Sequence, residues 1–313
     1  MKLAVRAPGC FLYPSLSSAW ERELDWRGIR RFAQRADALG FDWLWVAEHV
    51  VQDSALVPTM GGHFFEGVTA AANLLGATER IGALTYVAVL PYHHPVVYAK
   101  ALASADFLSG GRMTLGLGAG YMEREFEAVG VPVEERGRRS DEYLRAMVEL
   151  WTSEKPSFAG EFVRFDDVVF EPKCLQQPHL PLLVGGDSRP ALRRAARLGD
   201  GWLPWLTTRD ELPDCLAYLR EQREEHGRSG PFQVLSLLAD FPAEDRLDMS
   251  RFHVPRENGE ARDMLHALRE AGASGAIVHL PRTDSLEECL DWLEGFAEQV
   301  APAFRSAAEV ARA

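Results

Sequence analysis

Glu48 and His49 stand side by side after a short apolar run, Trp43–Ala47, and they are the first residues in the chain that could move a proton. Histidine has the ordinary pKa closest to neutrality, so it suits general acid–base work. The alternative reading is that polar residues at a strand end hydrogen-bond the rim of a barrel. A second apolar run, Ile81–Val89, carries Thr85-Tyr86-Val87 and leads into Leu90-Pro91-Tyr92-His93-His94-Pro95. His93 and His94 sit at a turn between two prolines. Their expected job is structural, bonding backbone groups that proline leaves unpaired.

Two glycine-rich turns follow. Gly116-Leu117-Gly118-Ala119-Gly120 ends one apolar run and precedes a short acidic helix. Gly185-Gly186-Asp187-Ser188 ends another, with Ser188 placed to cap the next helix. Glycine lets backbone approach a phosphate, and helix-start amides favour an anion. Neither turn is the dinucleotide fingerprint, because the helix and acidic residue are not at its spacing. Together, on neighbouring strands, they suggest a phosphate-bearing ligand; singly, each reads as turn geometry.

Other chemistries are disfavoured by the composition. Cys10, Cys174, Cys215 and Cys289 are scattered, with no C-x-x-C pair and no histidine at zinc spacing. No metal site is expected, and the thiols read as reduced, in a cytoplasmic protein. A net charge of −12 argues against nucleic acid and anionic membranes as partners. No apolar run reaches the ~20 residues that span a bilayer, and Met1–Ala7 lacks the features of a signal peptide.

These residues need a scaffold that brings strand ends together. Along all 313 residues, short apolar runs alternate with stretches of helical periodicity. The strands are expected at Leu3–Ala7, Trp43–Ala47, Ile81–Val89, Met113–Leu117, Leu182–Val184, Gly201–Pro204, Gln233–Asp240 and Gly275–Leu280. Helices are expected at Trp26–Leu39, Gly67–Ala77, Pro95–Leu108, Ser140–Thr152, Ser188–Leu198, Arg209–His226, Glu257–Ala271 and Ser285–Val300. Residues 157–171, rich in phenylalanine with Gly160 at a turn, read as a small β-hairpin insertion. Eight strand–helix units favour a closed (β/α)8 TIM barrel over an open doubly wound sheet. With no low-complexity linker, one domain over 1–313 is expected. Segment 241–256 is the least regular part of the second half and reads as a lid or a long loop.

The ordered motifs then match a family. Ala47-Glu48-His49, Leu90-Pro91-Tyr92-His93-His94-Pro95, Leu108-Ser109-Gly110-Gly111-Arg112, Gly116-Leu117-Gly118-Ala119-Gly120, Glu125-Phe126-Glu127, Val184-Gly185-Gly186 and Gly199-Asp200-Gly201-Trp202 resemble the bacterial luciferase-like oxidoreductases. Within these, the likeness is to the branch that uses the deazaflavin coenzyme F420. The resemblance implies that His49 sits by the coenzyme ring as an acid or base. It implies a non-proline cis peptide at Tyr86-Val87 bulging against that ring, with Glu48, Thr85, Tyr86 and Val87 among the coenzyme-binding residues. Gly118, Ala119, Gly185, Gly186, Asp187 and Ser188 fall where the coenzyme phosphate is held, and Arg124 and Glu125 near the ribityl chain. The sequence departs from the family at three points. Tyr121 stands where some sugar-phosphate dehydrogenases carry a glutamate, Glu48 replaces an aspartate or serine, and Tyr86 is bulkier than usual.

The expected activity is hydride transfer between a small organic substrate and coenzyme F420. The alternative on the same barrel is an FMNH2-dependent monooxygenase using oxygen. A flavin or F420 reductase would supply the reduced coenzyme, and a homodimer is implied; the apolar faces of Gly67–Ala77 and Pro95–Leu108 would either form its interface or simply face the barrel. A barrel that binds coenzyme without catalysis would lack the strand-end histidine. An isomerase or aldolase would want a lysine or a carboxylate pair at the rim, and no lysine ends a strand, since Lys100 and Lys173 lie in a helix and a loop. Phe64, Phe65, Trp205 and Phe252 suggest an apolar or planar substrate, or the packing of long loops.

Overall fold

Strand β1 (Lys2–Arg6) lies between β2 (Trp43–Val46) and β8 (Gly275–Val278). The order continues through β3 (Gly82–Thr85), β4 (Met113–Gly118), β5 (Leu182–Gly185), β6 (Gly201–Leu203) and β7 (Gln233–Leu237), which pairs with β8. Leu182 opposite Leu115 and Val184 opposite Leu117 join β5 to β4 and close the sheet. Every pairing is parallel, so this is a (β/α)8 barrel. The computed structural model describes residues 1–244 and 248–305. The eight strands are buried almost throughout. Hence they appear in the sequence as continuous apolar runs rather than alternating ones.

The helices are α1 (Trp26–Ala38), α2 (Gly67–Gly76), α3 (Pro95–Leu108), α4 (Arg136–Thr152), α5 (Arg189–Leu198), α6 (Leu212–Glu225), α7 (Asn258–Glu270) and α8 (Leu286–Gln299). Local signals set their ends. Asp25 caps α1 by accepting from the amides of Arg27 and Gly28, and Gly40 follows it at φ 76°. Helix α6 starts three residues later than its periodicity suggests, because the Glu211 carboxylate holds the amide and hydroxyl of Thr208 in a turn. The hairpin between α4 and β5 pairs Phe158 with Phe165. The Glu142 carboxylate on α4 accepts the amides of Glu161, Phe162 and Val163 at its tip.

The strands end earlier than expected at β7, which stops at Leu237, and at β8, which stops at Val278. A larger correction concerns the run Ile81–Val89. It is not one strand but two pieces, Gly82–Thr85 and Ala88–Val89. Leu84 lies opposite Thr114 and Ala88 opposite Leu117, so β3 spends four residues where β4 spends three. One residue is extra, and the chain bulges at Tyr86-Val87. Segment 241–256 is irregular as expected. A single 3-10 turn at Met249–Arg251 and an Asp240–His253 bridge order its described part, and 245–247 lie outside the described residues.

A buried ion pair anchors the loop after β1. Arg6 Nη2 donates to Glu21 Oε1 at 2.5 Å and Nη1 to Ser17 Oγ at 3.0 Å, and both side chains are inaccessible. Glu21 also accepts the amides of Ser18 and Gly9. The pair fixes the segment that carries Phe11 and Tyr13 over the barrel mouth. Removing one partner strands a buried charge. Glu21→Ala is therefore expected to lower unfolding stability by about 3–5 kcal/mol, read as a fall in the urea midpoint. An unchanged midpoint would show that Arg6 finds water or another partner.

Candidate active site

Strand β2 delivers Glu48 and His49 to the C-terminal mouth of the barrel, where β/α loops gather. His49 Nδ1 lies 2.9 Å from Glu125 Oε2, on the short helix Glu123–Val129 after β4. The other oxygen of Glu125 accepts the amides of Val50 at 2.9 Å and Val51 at 3.4 Å. Oε2 also accepts the Tyr92 hydroxyl at 3.1 Å. A carboxylate surrounded by donors takes the Nδ1–H of the imidazole, which leaves Nε2 as the nitrogen free to exchange a proton. Phe64 packs edge-to-face on the ring at 4.7 Å, and Tyr121 stands perpendicular to it at 6.4 Å. Burial, then the Glu125 charge, pushes the Tyr121 phenol up to about 12, so it can donate a hydrogen bond but not act as a base near neutrality.

Glu48 is buried and fully engaged. It accepts the amides of Gly67 at 3.1 Å and Val89 at 3.2 Å, and meets His93 Nε2 at 2.9 Å. It ties β2 to the start of α2 and to the far side of the β3 bulge. His93 stacks on Tyr98 at 4.0 Å. The expectation that His93 and His94 bond backbone is corrected: His93 bonds a carboxylate, and His94 caps α3 without a side-chain bond. The reason is long-range, since a buried carboxylate needs donors wherever the fold supplies them.

The bulge is held on all sides. The Tyr86-Val87 peptide is cis. Thr85 Oγ1 donates to the Gly116 carbonyl at 2.7 Å and accepts its amide at 3.0 Å. The Tyr86 hydroxyl donates to the Pro204 carbonyl at 2.9 Å. Val87 projects between the two glycine turns. A Cβ at Gly118 would lie 3.0 Å from Val87 Cγ2, and one at Gly185 would lie 2.8 Å from Val87 Cγ1. These glycines make room for Val87 whether or not a ligand is bound.

At the rim, the amides of Ala119, Gly120, Asp187 and Ser188 donate to no acceptor among the described residues. Gly186 adopts φ 111°, and its amide donates to Leu203. Asp187 turns away from this cradle. Its carboxylate accepts the amides of Trp205, Leu206 and Thr207 and the Thr207 hydroxyl. Ser188 caps α5 through the Ala191 amide at 3.4 Å. Arg124 points outward and pairs with Glu127 at 2.8 Å. The described residues contain no cluster of His, Cys, Asp or Glu that could hold a metal ion.

Residues 8–250 match the profile of a family described as luciferase-like monooxygenase. The chain belongs to that family. It is 37% identical over 174 residues to an FMNH2-dependent dimethylsulfone monooxygenase of Pseudomonas putida, a match spanning 55% of this chain and 46% of that enzyme. The chain thus covers about half of that relative's length. Among solved structures, a monooxygenase, RslO1, of Streptomyces bottropensis superposes with a TM-score of 0.80 at 23% identity, over 97% of this chain and all of that one. An F420-dependent secondary alcohol dehydrogenase, solved with an F420-acetone adduct, superposes with a TM-score of 0.76 at 18% identity, over 97% and 99%.

In this luciferase-like barrel, sequence reasoning overlooked the loop after β1. Phe11 pairs with Phe64 in a two-residue ribbon, and Tyr13 packs edge-on to Phe64 at 5.6 Å. An aromatic cluster just after a glycine turn was the available signal. It also missed Glu125 as the partner of His49, since an acid beside the buried Phe126 has no visible address in sequence.

His279, after β8, is the other unusual side chain. It is buried edge-on to Trp45 at 4.9 Å, and neither ring nitrogen has a partner among the described residues. Burial, then the nearby Arg6 charge, pulls its pKa down to about 3. Unfolded, it would titrate near 6.5, so its contribution is fully present above that pH and is lost as pH falls toward the folded value. Stability of the native chain should therefore drop on acidification, relative to His279→Phe, by about 2 kcal/mol at pH 5. Parallel urea-midpoint profiles for the two proteins between pH 5 and 7 would show that the imidazole takes up a proton in the fold.

Proposed function

We propose that this chain is a luciferase-like oxidoreductase that transfers hydride between a small organic substrate and coenzyme F420. The observation that carries the reading is the His49–Glu125 pair at the end of β2, whose neighbour β3 ends in the Tyr86-Val87 bulge, joined to β2 where the Tyr86 amide donates to the Val46 carbonyl. The cradle fits a phosphate-bearing coenzyme. Four unpaired amides lie at the ends of β4 and β5, and the start of α5 adds its positive dipole end. The amides of Ala119, Gly120, Asp187 and Ser188 would hold the phosphate, with Gly186 allowing its close approach. Val87 would pack against the ring. When bound, the coenzyme supplies the hydride chemistry.

The residues supply position and protons. Glu125 holds the imidazole by Nδ1 and orients Nε2. Glu48, Asp187 and Thr85 act through backbone, locking the loops that carry the site. The fold is shared along nearly the whole chain with an F420-dependent secondary alcohol dehydrogenase and with the monooxygenase RslO1, and it is the ordered motifs from Ala47-Glu48-His49 to Gly199-Asp200-Gly201-Trp202 that support the deazaflavin. The second reading, an FMNH2-dependent monooxygenase served by a flavin reductase, is favoured by the 37% identity to the dimethylsulfone enzyme. A single barrel domain would serve either activity. We further propose a homodimer joined through α2 and α3, supported by the exposed Val97, Phe107 and Leu108 on α3.

Two experiments test these readings. Titration of the purified protein with F420, FMN and reduced FMN, followed by tryptophan fluorescence, should show micromolar binding of the deazaflavin and weaker binding of both flavins. Preference for reduced FMN would establish the monooxygenase instead. In the matching assay, His49→Ala should cut turnover about 100-fold or more while changing coenzyme affinity less than ~10-fold. Near-normal turnover would remove His49 from proton transfer. By light scattering, Leu108→Arg should halve the mass of the native protein, and a native monomer would dismiss the dimer.

A further inference from the structure

One wall of the barrel mouth is a continuous arc of aromatic rings. Trp205 meets Tyr86 at 5.8 Å, Tyr86 meets Trp45 at 5.2 Å, and Trp45 meets Phe11 at 5.1 Å. Phe11 stacks on Phe64 at 6.1 Å, and Phe64 contacts His49 at 4.7 Å. The rings come from the loops or ends of four strands, β1, β2, β3 and β6, so no single helix or strand face explains their meeting. Trp45 and Phe11 are fully buried and form the back of the arc, whereas Trp205 and Phe64 are partly exposed. Tyr86 spends its hydroxyl on the Pro204 carbonyl and presents only its ring.

Among the described residues, charge is absent from the rings of this wall for a specific reason. The acids at the strand ends, Glu48, Glu125 and Asp187, are consumed by amides and histidines of the scaffold. Arg6 behind Phe11 is consumed by Glu21. His279 behind Trp45 stays neutral at working pH. The cation after β8, Arg282, is exposed to solvent. An anion drawn against these rings would give up its hydration and, among the described residues, meet no opposite charge on the wall itself, with only the solvated Arg282 at the strand end beyond it. A flat apolar molecule would release ordered water and stack.

We infer that the substrate is an uncharged, ring-bearing apolar molecule stacked against Trp205 at one end of this arc, not a carboxylate, sulfonate or sugar phosphate. This deepens the proposed oxidoreductase reading and uses the same mouth. Trp205 is the specificity-determining residue, because it is partly exposed and its loop is pinned by Asp187.

The test is calorimetric binding of 2-naphthol, naphthalene-2-sulfonate, 2-naphthoate and glucose 6-phosphate, with and without saturating coenzyme. 2-Naphthol should bind at least about tenfold more tightly than any anion. Trp205→Ala should weaken 2-naphthol about tenfold or more and leave coenzyme affinity within ~3-fold, while Trp205→Phe retains binding. Circular dichroism and the urea midpoint confirm that each variant is folded. Equal or tighter anion binding, especially if lost in Arg282→Ala, overturns the inference. So does a failure of 2-naphthol to bind, or its indifference to Trp205→Ala. Failure of every coenzyme to bind overturns the oxidoreductase reading alone, because the coenzyme-free titration still reports on the rings.

Discussion

Strand β3 carries one residue more than β4 between Leu84 and Ala88, and the mouth of the barrel is arranged around that residue. The bulge pushes Val87 between the ends of β4 and β5, where only glycine leaves space for it at 118 and 185. It turns the Tyr86 ring toward Trp45 and Trp205. It also brings the Val89 amide to Glu48, which in turn holds the start of α2. Gly116 answers the same constraint from the other side, since a Cβ there would lie 1.9 Å from the Thr85 carbonyl oxygen. One local mismatch between two strands thus accounts for three glycines, a carboxylate and an aromatic contact.

Three acids at the rim look like ligand groups in sequence and behave as struts in the fold. A buried carboxylate is tolerated only with donors around it, and backbone amides at loop starts are the nearest supply. Glu48 joins two loops, Asp187 closes the loop before α6, and Glu125 gathers residues 50 and 51 with His49. Because the acids are used this way, the imidazole Nε2 and the unpaired rim amides are the groups left for chemistry. The site therefore offers one proton-transfer group, a cradle for an anion, and rings.

This division bears on how one barrel scaffold can host different redox reactions. The loops are fixed by carboxylates bonded to backbone amides, so the rings between them can vary without loosening His49. Tyr86 illustrates the point. Its position in the bulge is dictated by backbone, and its ring contacts Trp45 and Trp205 while its hydroxyl is held by the Pro204 carbonyl.

The architecture was legible from local pattern. Eight apolar runs alternating with amphipathic stretches, the Asp25 cap, the glycine after α1 and the phenylalanine-rich hairpin all declare themselves within a few residues, because helix and strand periodicity are properties of neighbours. The family motifs marked His49, the glycine turns and the position of the bulge. What the sequence could not disclose was pairing. Glu125 reaches His49 across 76 residues and His93 reaches Glu48 across 45, and nothing in spacing or composition favours those partners over others. The tertiary structure decided them, because a buried charge is satisfied by whichever donors closure of the barrel brings within about 3 Å.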